Sequence, residues 1–262
     1  MNNRSCTLSG AFANGKAFIP FITCGDPNLE TTKACILALQ EAGASLIELG
    51  IPFSDPTAEG PVIQAANIRA LTAHTTTDSI FSLLRSMKND IHVPLAFMTY
   101  ANVVFSYGAD RFMQSCKDVG VGALILPDIP YEEKEEFQAS CDKHGVALIS
   151  FIAPTSEKRV VRIAKDAQGF IYVVSSLGVT GTRSTLDSHV SSVISLIRQH
   201  TSVPCAVGFG ISTPEQARDV ARYADGVIIG SAIVKIIERY GVDAPAHVKQ
   251  FACDVVEAIK QA

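Results

Sequence analysis

No stretch of this chain approaches the ~20 consecutive apolar residues that cross a bilayer. Its start, MNNRSCTLSGAFANGKAF, lacks the basic flank and unbroken apolar core of a signal peptide. The expectation is a soluble, cytoplasmic protein. A basic excess is missing too: 22 lysines and arginines stand against 26 acidic residues, the formal net charge is −4, and no block of like charge accumulates. Binding to nucleic acid by bulk electrostatics is thereby disfavoured. The seven cysteines, Cys6, Cys24, Cys35, Cys116, Cys141, Cys205 and Cys253, form no Cys-x-x-Cys pair that would indicate a redox or zinc site. They read as small reduced core residues. Internal repeats, linkers and low-complexity segments are absent as well. With 262 residues, 47% of them hydrophobic, the chain can bury a large core, and one domain over 1–262 is the default.

What is present is an alternation of short apolar runs, bounded by Gly, Pro or Asp, with longer segments of helical period. The candidate strands are AFIPFIT (17–23), LIELGI (46–51), PLAFMTY (94–100), ALILPD (123–128), VALISFI (146–152), FIYVVSS (170–176), CAVGFG (205–210) and GVIIG (226–230). Helical candidates between them include 28–43, 131–145, 185–199 and 213–224, several with capping residues at the start and glycine at or just past the end. Eight strand–helix units in about 250 residues match a closed (β/α)8 barrel, the TIM-barrel fold, better than an open doubly wound sheet. Two segments, GFGIST (208–213) and GVGALI (120–125), begin like a dinucleotide fingerprint but lack its third glycine. The connections 52–93 and 177–204 are longer than the others. Long loops at the carboxyl ends of barrel strands are where function usually sits.

The strongest local anomaly is Glu48, in the middle of LIELGI. Leu46, Glu48 and Gly50 share one face of that strand, and Ile47, Leu49 and Ile51 share the other. The aliphatic face must pack on helices, so Glu48 is expected to point into the barrel. A buried carboxylate costs several kcal/mol unless it is paired, protonated or used. No Lys or Arg occupies an obvious inward position to pair with it. Burial should raise its pKa, which suits a proton shuttle near neutrality. Asp55 and Glu59 follow on the loop PFSDPTAEGP (52–61), just beyond the strand's carboxyl end. Either reads as a solvated turn residue or a helix cap, or as the partner of Glu48 in an acid/base pair.

Three glycine-rich strand exits come later: Gly178-Val179-Thr180-Gly181, Gly208-Phe209-Gly210 and Gly230-Ser231. The last opens the helical segment SAIVKIIERY, whose first turn offers free N–H groups and the positive end of the helix dipole. Phosphate is the natural guest there, and barrels often bind it in the loops after strands seven and eight. A Schiff-base aldolase needs a lysine near a strand's carboxyl end. Here Lys16 precedes a strand, Lys165 closes a helix and Lys235 lies within one. A metal-dependent aldolase needs convergent histidines, yet His92, His144 and His200 come just before strands, while His74, His189 and His247 fall in helices or loops. What remains is carboxylate acid/base chemistry on a phosphorylated substrate.

The segment LIELGIPFSDPTAEGPVIQ (46–64) closely resembles the signature of the tryptophan synthase alpha subunit family. FIPFITCGDP (18–27), MTYANVVFSYG (98–108), LPDIPYEE (126–133), GVTGTR (178–183), GFGIS (208–212) and GSAIVKII (230–237) extend the likeness over essentially the whole chain. The resemblance implies a (β/α)8 barrel and aldol cleavage of indole-3-glycerol phosphate to indole and glyceraldehyde 3-phosphate. It also implies a beta subunit as partner in a complex of two alpha and two beta chains. No cofactor is implied for this chain; pyridoxal phosphate would belong to the beta subunit.

By the same resemblance Glu48 matches the catalytic glutamate, and Glu59 takes the place of the second catalytic acid, often aspartate in the family. Glutamate is one methylene longer, so the loop must sit slightly farther back. Phe21, Tyr100 and Tyr172 match residues lining the indole and glycerol pocket. Gly181, Gly210, Gly230 and Ser231 match the phosphate site. Thr180 matches a loop residue closing over the second acid, and Asp55 one that carries the closed state to the partner. The loops 52–61 and 177–187 are expected to be mobile without ligand and ordered with substrate and beta subunit. Three other readings stay open: a free-standing lyase of the same family, a barrel for a flavin or other phosphate cofactor, and an activating partner that has lost catalysis.

Overall fold

The computed structural model describes residues 8–153, 156–174, 183–208 and 210–262, with the backbone alone for 183–188. The strands are β1 (Ala17–Thr23), β2 (Ile47–Gly50), β3 (Leu95–Met98), β4 (Val121–Ile125), β5 (Ala147–Leu148), β6 (Ser150–Ile152), β7 (Ile171–Val174), β8 (Cys205–Gly208) and β9 (Gly226–Ile229). The helices are α1 (Leu8–Ala11), α2 (Leu29–Glu41), α3 (Pro61–Thr72), α4 (Thr77–Ser86), α5 (Ala101–Tyr107), α6 (Ala109–Val119), α7 (Glu135–His144), α8 (Glu157–Asp166), α9 (Arg183–Arg198), α10 (Pro214–Ala221), α11 (Ser231–Tyr240) and α12 (Ala244–Ile259). All strand pairs are parallel, in the order β5-β4-β3-β2-β1-β9-β8-β7-β6. The two ends of that order, β5 and β6, are one residue apart in the chain. Together they form the fifth strand, and the sheet closes into the expected (β/α)8 barrel, which removes exposed edges.

Side-chain alternation sorts the core into two layers. Ile19, Phe21, Leu46, Ala96, Met98, Ile149, Tyr172 and Ile228 pack together inside the barrel. Phe18, Ile22, Ile47, Leu49, Phe97, Val173 and Val227 belong to the shell under the helices. Leu46 and Ile47 thus fall on opposite sides, as the alternation in LIELGI requires. Helix termini are set by local chemistry. The Asn28 side chain accepts the Thr31 N–H at 2.8 Å to open α2, and Thr76 and Ser79 form a reciprocal capping box on α4. Gly120 and Gly145 close α6 and α7 in the left-handed conformation.

Several boundaries differ from expectation. The fourth strand begins at Val121 rather than 123, because the left-handed Gly120 ends the preceding helix at once. The run 146–152 is split: the Ile149 N–H donates to Leu124 at 2.9 Å, whereas β6 pairs with β7 alone. β4 ends at Ile125, and a cavity of about 50 Å³ lies nearby, lined in part by Leu126, Ile129, Ile149 and Phe151. The segment 131–145 is a 3-10 turn (Tyr131–Glu133) followed by α7. The connection 52–93 carries α3 and α4, and the stretch after β3 also carries two helices, α5 and α6.

One polar clamp fixes the mouth of the barrel. Asp26, at the exit of β1 and only 2% exposed, pairs with both Nε and Nη2 of Arg69 on α3 at 2.8 Å. Arg69 also reaches Glu238 of α11 at 2.9 Å. Removing Asp26 takes away the two hydrogen bonds to a charged group that hold Arg69 against the β1 exit. Because Arg69 is partly solvated and keeps Glu238, Asp26→Ala is expected to cost about 1–2 kcal/mol of folding stability, read as a lower denaturant midpoint; an unchanged midpoint would show the clamp to be dispensable.

Candidate active site

Glu48 sits in β2 between Phe21 of β1 and Ala96 of β3 in the strand register. It is 1% exposed, and among the described residues neither carboxylate oxygen has a hydrogen-bond partner. Desolvation pushes its pKa up from 4.5 to about 8, and the nearby Glu59 charge adds to the rise. An acid kept protonated at neutral pH inside a barrel can give up a proton and take one back.

The loop 52–61 brings Glu59 close enough to Glu48 for its charge to be felt and is tied down by an aromatic of the β3 exit. The Ala58 N–H donates to the Tyr100 hydroxyl at 2.9 Å, and the Phe53 ring stacks on Tyr100 with centroids 5.1 Å apart. Tyr100 is buried, and its phenol is pushed up to about 12, chiefly by desolvation. Glu59 is half-buried. Its Oε2 accepts a hydrogen bond from Asn67 Nδ2 at 2.9 Å, and its carbonyl accepts one from Gln64 Nε2 at 2.9 Å. Burial raises the Glu59 pKa to about 7 against the lowering pull of Asn67. Glu59 does not cap α3, whose N-cap is Gly60 without a side-chain bond. Asp55 is exposed on the same loop and accepts a hydrogen bond from the Ser54 hydroxyl.

Two aromatics, Phe21 and Tyr172, lie beside Glu48, and glycines give them room. A Cβ on Gly50 would lie 2.6 Å from the Phe21 ring, and one on Gly208 would lie 2.5 Å from the Tyr172 hydroxyl. Gly208, grouped with the phosphate exits by its sequence, thus serves Tyr172. Tyr172 is buried, packs on Phe151 at 4.8 Å between centroids, and has its pKa raised by burial and by the charge of Glu48. Phe21 also touches the space above Gly230, within 3.3–3.6 Å of its ideal Cβ, so one ring spans the acid and the β9 exit.

At that exit Ser231 opens α11, and the Gly230 carbonyl takes the N–H groups of Ile233 and Val234. The N–H groups of Ser231 and Ala232 have no acceptor within the helix. Gly210, with φ +78°, lies two residues past the end of β8, the strand that pairs with β9. Gly178, Thr180 and Gly181 lie outside the described residues. The described residues hold no group of three or more His, Cys, Asp or Glu arranged for a metal ion. No helix among them is long and apolar enough to cross a membrane.

Sequence reasoning missed Asn67, Phe53 and the spatial roles of Gly50 and Gly208. For Asn67 a signal existed: it is the polar member of the buried α3 stripe Ile63, Ala66, Asn67 and Ala70.

The fold and the site define a (β/α)8-barrel enzyme whose mouth carries two carboxylates held near neutrality. A family model for the tryptophan synthase alpha chain matches residues 10–262. The tryptophan synthase alpha chain of Lacticaseibacillus casei is 47% identical over 257 residues, 97% of each chain, and that of Halalkalibacterium halodurans is 50% identical over 230 residues, 87% of each. Among solved structures, tryptophan synthase subunit alpha from Legionella pneumophila str. Paris matches with a TM-score of 0.88 at 37% identity, covering 100% of both chains. The chain belongs to the tryptophan synthase alpha chain family.

Proposed function

We propose that this chain cleaves indole-3-glycerol phosphate to indole and glyceraldehyde 3-phosphate with Glu48 and Glu59 as its acid–base pair. The observation that carries the assignment is Glu48, fully buried on the inner face of the barrel with neither oxygen bonded among the described residues, beside a second carboxylate. Indole is a poor leaving carbanion until its C3 is protonated. Glu48 in its acid form donates that proton, which turns the ring into an iminium electron sink. The resulting Glu48 carboxylate takes the proton of the side-chain hydroxyl as the C–C bond breaks. The bonding pair returns to the ring, the aldehyde forms, and Glu48 is again an acid. Ionised Glu59 accepts the indole N–H bond and stabilises the positive charge developing there.

Phe21, Tyr100 and Tyr172 flank the ring and glycerol chain. The N-terminus of α11, with Gly230 and Ser231, and the neighbouring Gly210 receive the phosphate. Thr180 and Gly181 keep the roles the resemblance implies, loop closure and phosphate contact. The chain itself uses no cofactor in this reading. The partner is a beta subunit carrying pyridoxal phosphate, in a complex of two alpha and two beta chains, to which indole is passed. Phe105, 74% exposed on α5 directly after the Tyr100 N-cap, gives the barrel rim an apolar docking point, and exposed Asp55 offers the loop a polar one. Six free cysteines among the described residues suit a reducing cytoplasm.

The test is indole release from indole-3-glycerol phosphate by the purified chain, with and without beta subunit. Slow release alone, rising about tenfold or more with the partner, which is roughly 1.4 kcal/mol of barrier, supports the reading. No release in either condition overturns it, and equal release in both leaves a free-standing lyase.

A further inference from the structure

We propose that Asn67 is a positioning residue of this site, holding the Glu59 carboxylate ionised and aimed over the barrel mouth so that its second oxygen meets the indole nitrogen. The inference rests on the role given to Glu59 above. Glu59 is the residue before the N-cap of α3, on a loop where its neighbours Thr57, Ala58 and Gly60 are exposed, and a glutamate has three torsions that such a loop does not fix. Asn67 supplies the missing constraint. It is 4% exposed in the apolar stripe of α3, where an amide is costly unless bonded, and its Nδ2 donates to Glu59 Oε2 at 2.9 Å. The amide oxygen turned the same way would meet a carboxylate oxygen, so the bond also fixes which end of Asn67 faces the site.

The helix that carries Asn67 is itself immobilised. Gln64 holds the Glu59 carbonyl at 2.9 Å, and Arg69 is clamped to Asp26 at the β1 exit and to Glu238 of α11. Position 59 is therefore held through both backbone and side chain from one helix. The other titratable groups around Glu59 are all acids: Glu48 from β2, Tyr100 from the β3 exit with Asp128 behind it, and Asp55 on the same loop. No ion pair reaches Glu59 among the described residues. The Asn67 amide is the one described group that favours the ionised form.

The experiment compares kcat/KM for indole release against pH in the full chain with beta subunit, for wild type, Asn67→Leu and Asn67→Gln. Loss of the donor raises the pKa of Glu59. The acid limb in Asn67→Leu should therefore move up by about one unit, and the rate at pH 7 should fall about fivefold, approaching tenfold at lower pH. Asn67→Gln, which keeps a donor, should return the limb toward wild type. A purely structural role would lower the rate equally at every pH and leave the limb in place, which would overturn the proposal. Should Asn67→Leu fail to fold, Asn67→Ser also removes the reach to Oε2 and reads the same limb. A Glu59→Ala control separates the two ideas. If that variant loses activity while the Asn67→Leu limb stays put, only the Asn67 role falls; if it keeps the wild-type limb, the role of Glu59 itself falls.

Discussion

Glu48→Gln is expected to lower indole-3-glycerol phosphate cleavage by about 10²–10⁴-fold, the loss typical of removing a general acid/base, in a barrel that remains folded. Glutamine keeps the shape of the side chain but can neither give C3 a proton nor take the hydroxyl proton back. The folding control has a definite sign. Glu48 has its pKa raised from 4.5 to about 8 in the native state. Between those pH values the folded protein binds the proton more tightly than the unfolded chain, so this residue's contribution to stability is lost as pH rises. Glutamine titrates nowhere in that window. The variant should therefore melt no lower than wild type at pH 8 while being nearly inactive. Near-native turnover would remove Glu48 from the mechanism, and a collapse of the melting temperature would mean that the carboxylate serves the fold instead.

The inward placement of Glu48 is legible in the sequence, because it depends on period-two alternation alone. LIELGI has one aliphatic face, and the placement of Ile47 and Leu49 under the helices forces Glu48 inward. The β9 exit was equally readable, since Gly230-Ser231 followed by an amphipathic run is a helix start in any context. Other features depended on the path of the chain in space. The run 146–152 is nearly all apolar, so nothing in it shows that pairing to β4 stops near Ile149 and pairing to β7 takes over. Nor does sequence show that Gly208 yields its volume to Tyr172, 36 positions away on the adjacent strand. The contact between Glu59 and Asn67 needed the loop's return over the mouth as well as the helix.

Glu59→Ala should fail where Glu59→Asp stays active, and the pH dependence should say why. In the wild type, cleavage needs Glu59 ionised and Glu48 protonated. Glu59 is raised to about 7 and Glu48 to about 8, so kcat/KM should rise through the first value and fall through the second, peaking between them. Alanine removes the acceptor for the indole N–H in a site that water reaches poorly. The loss of one preorganised electrostatic contact of this kind costs on the order of 10²–10³-fold. It also removes the charge that helps hold the Glu48 proton, so the residual activity should lose its acid limb and have its alkaline limb at lower pH than wild type. Aspartate keeps the charge and restores the residue more usual in the family. Its carboxylate is one methylene short of the present 2.9 Å contact with Asn67, which the loop can recover by settling closer to α3. Both limbs should persist in that variant. An alanine variant as active as wild type, with an unmoved acid limb, would show that no hydrogen bond to the indole nitrogen is needed from position 59.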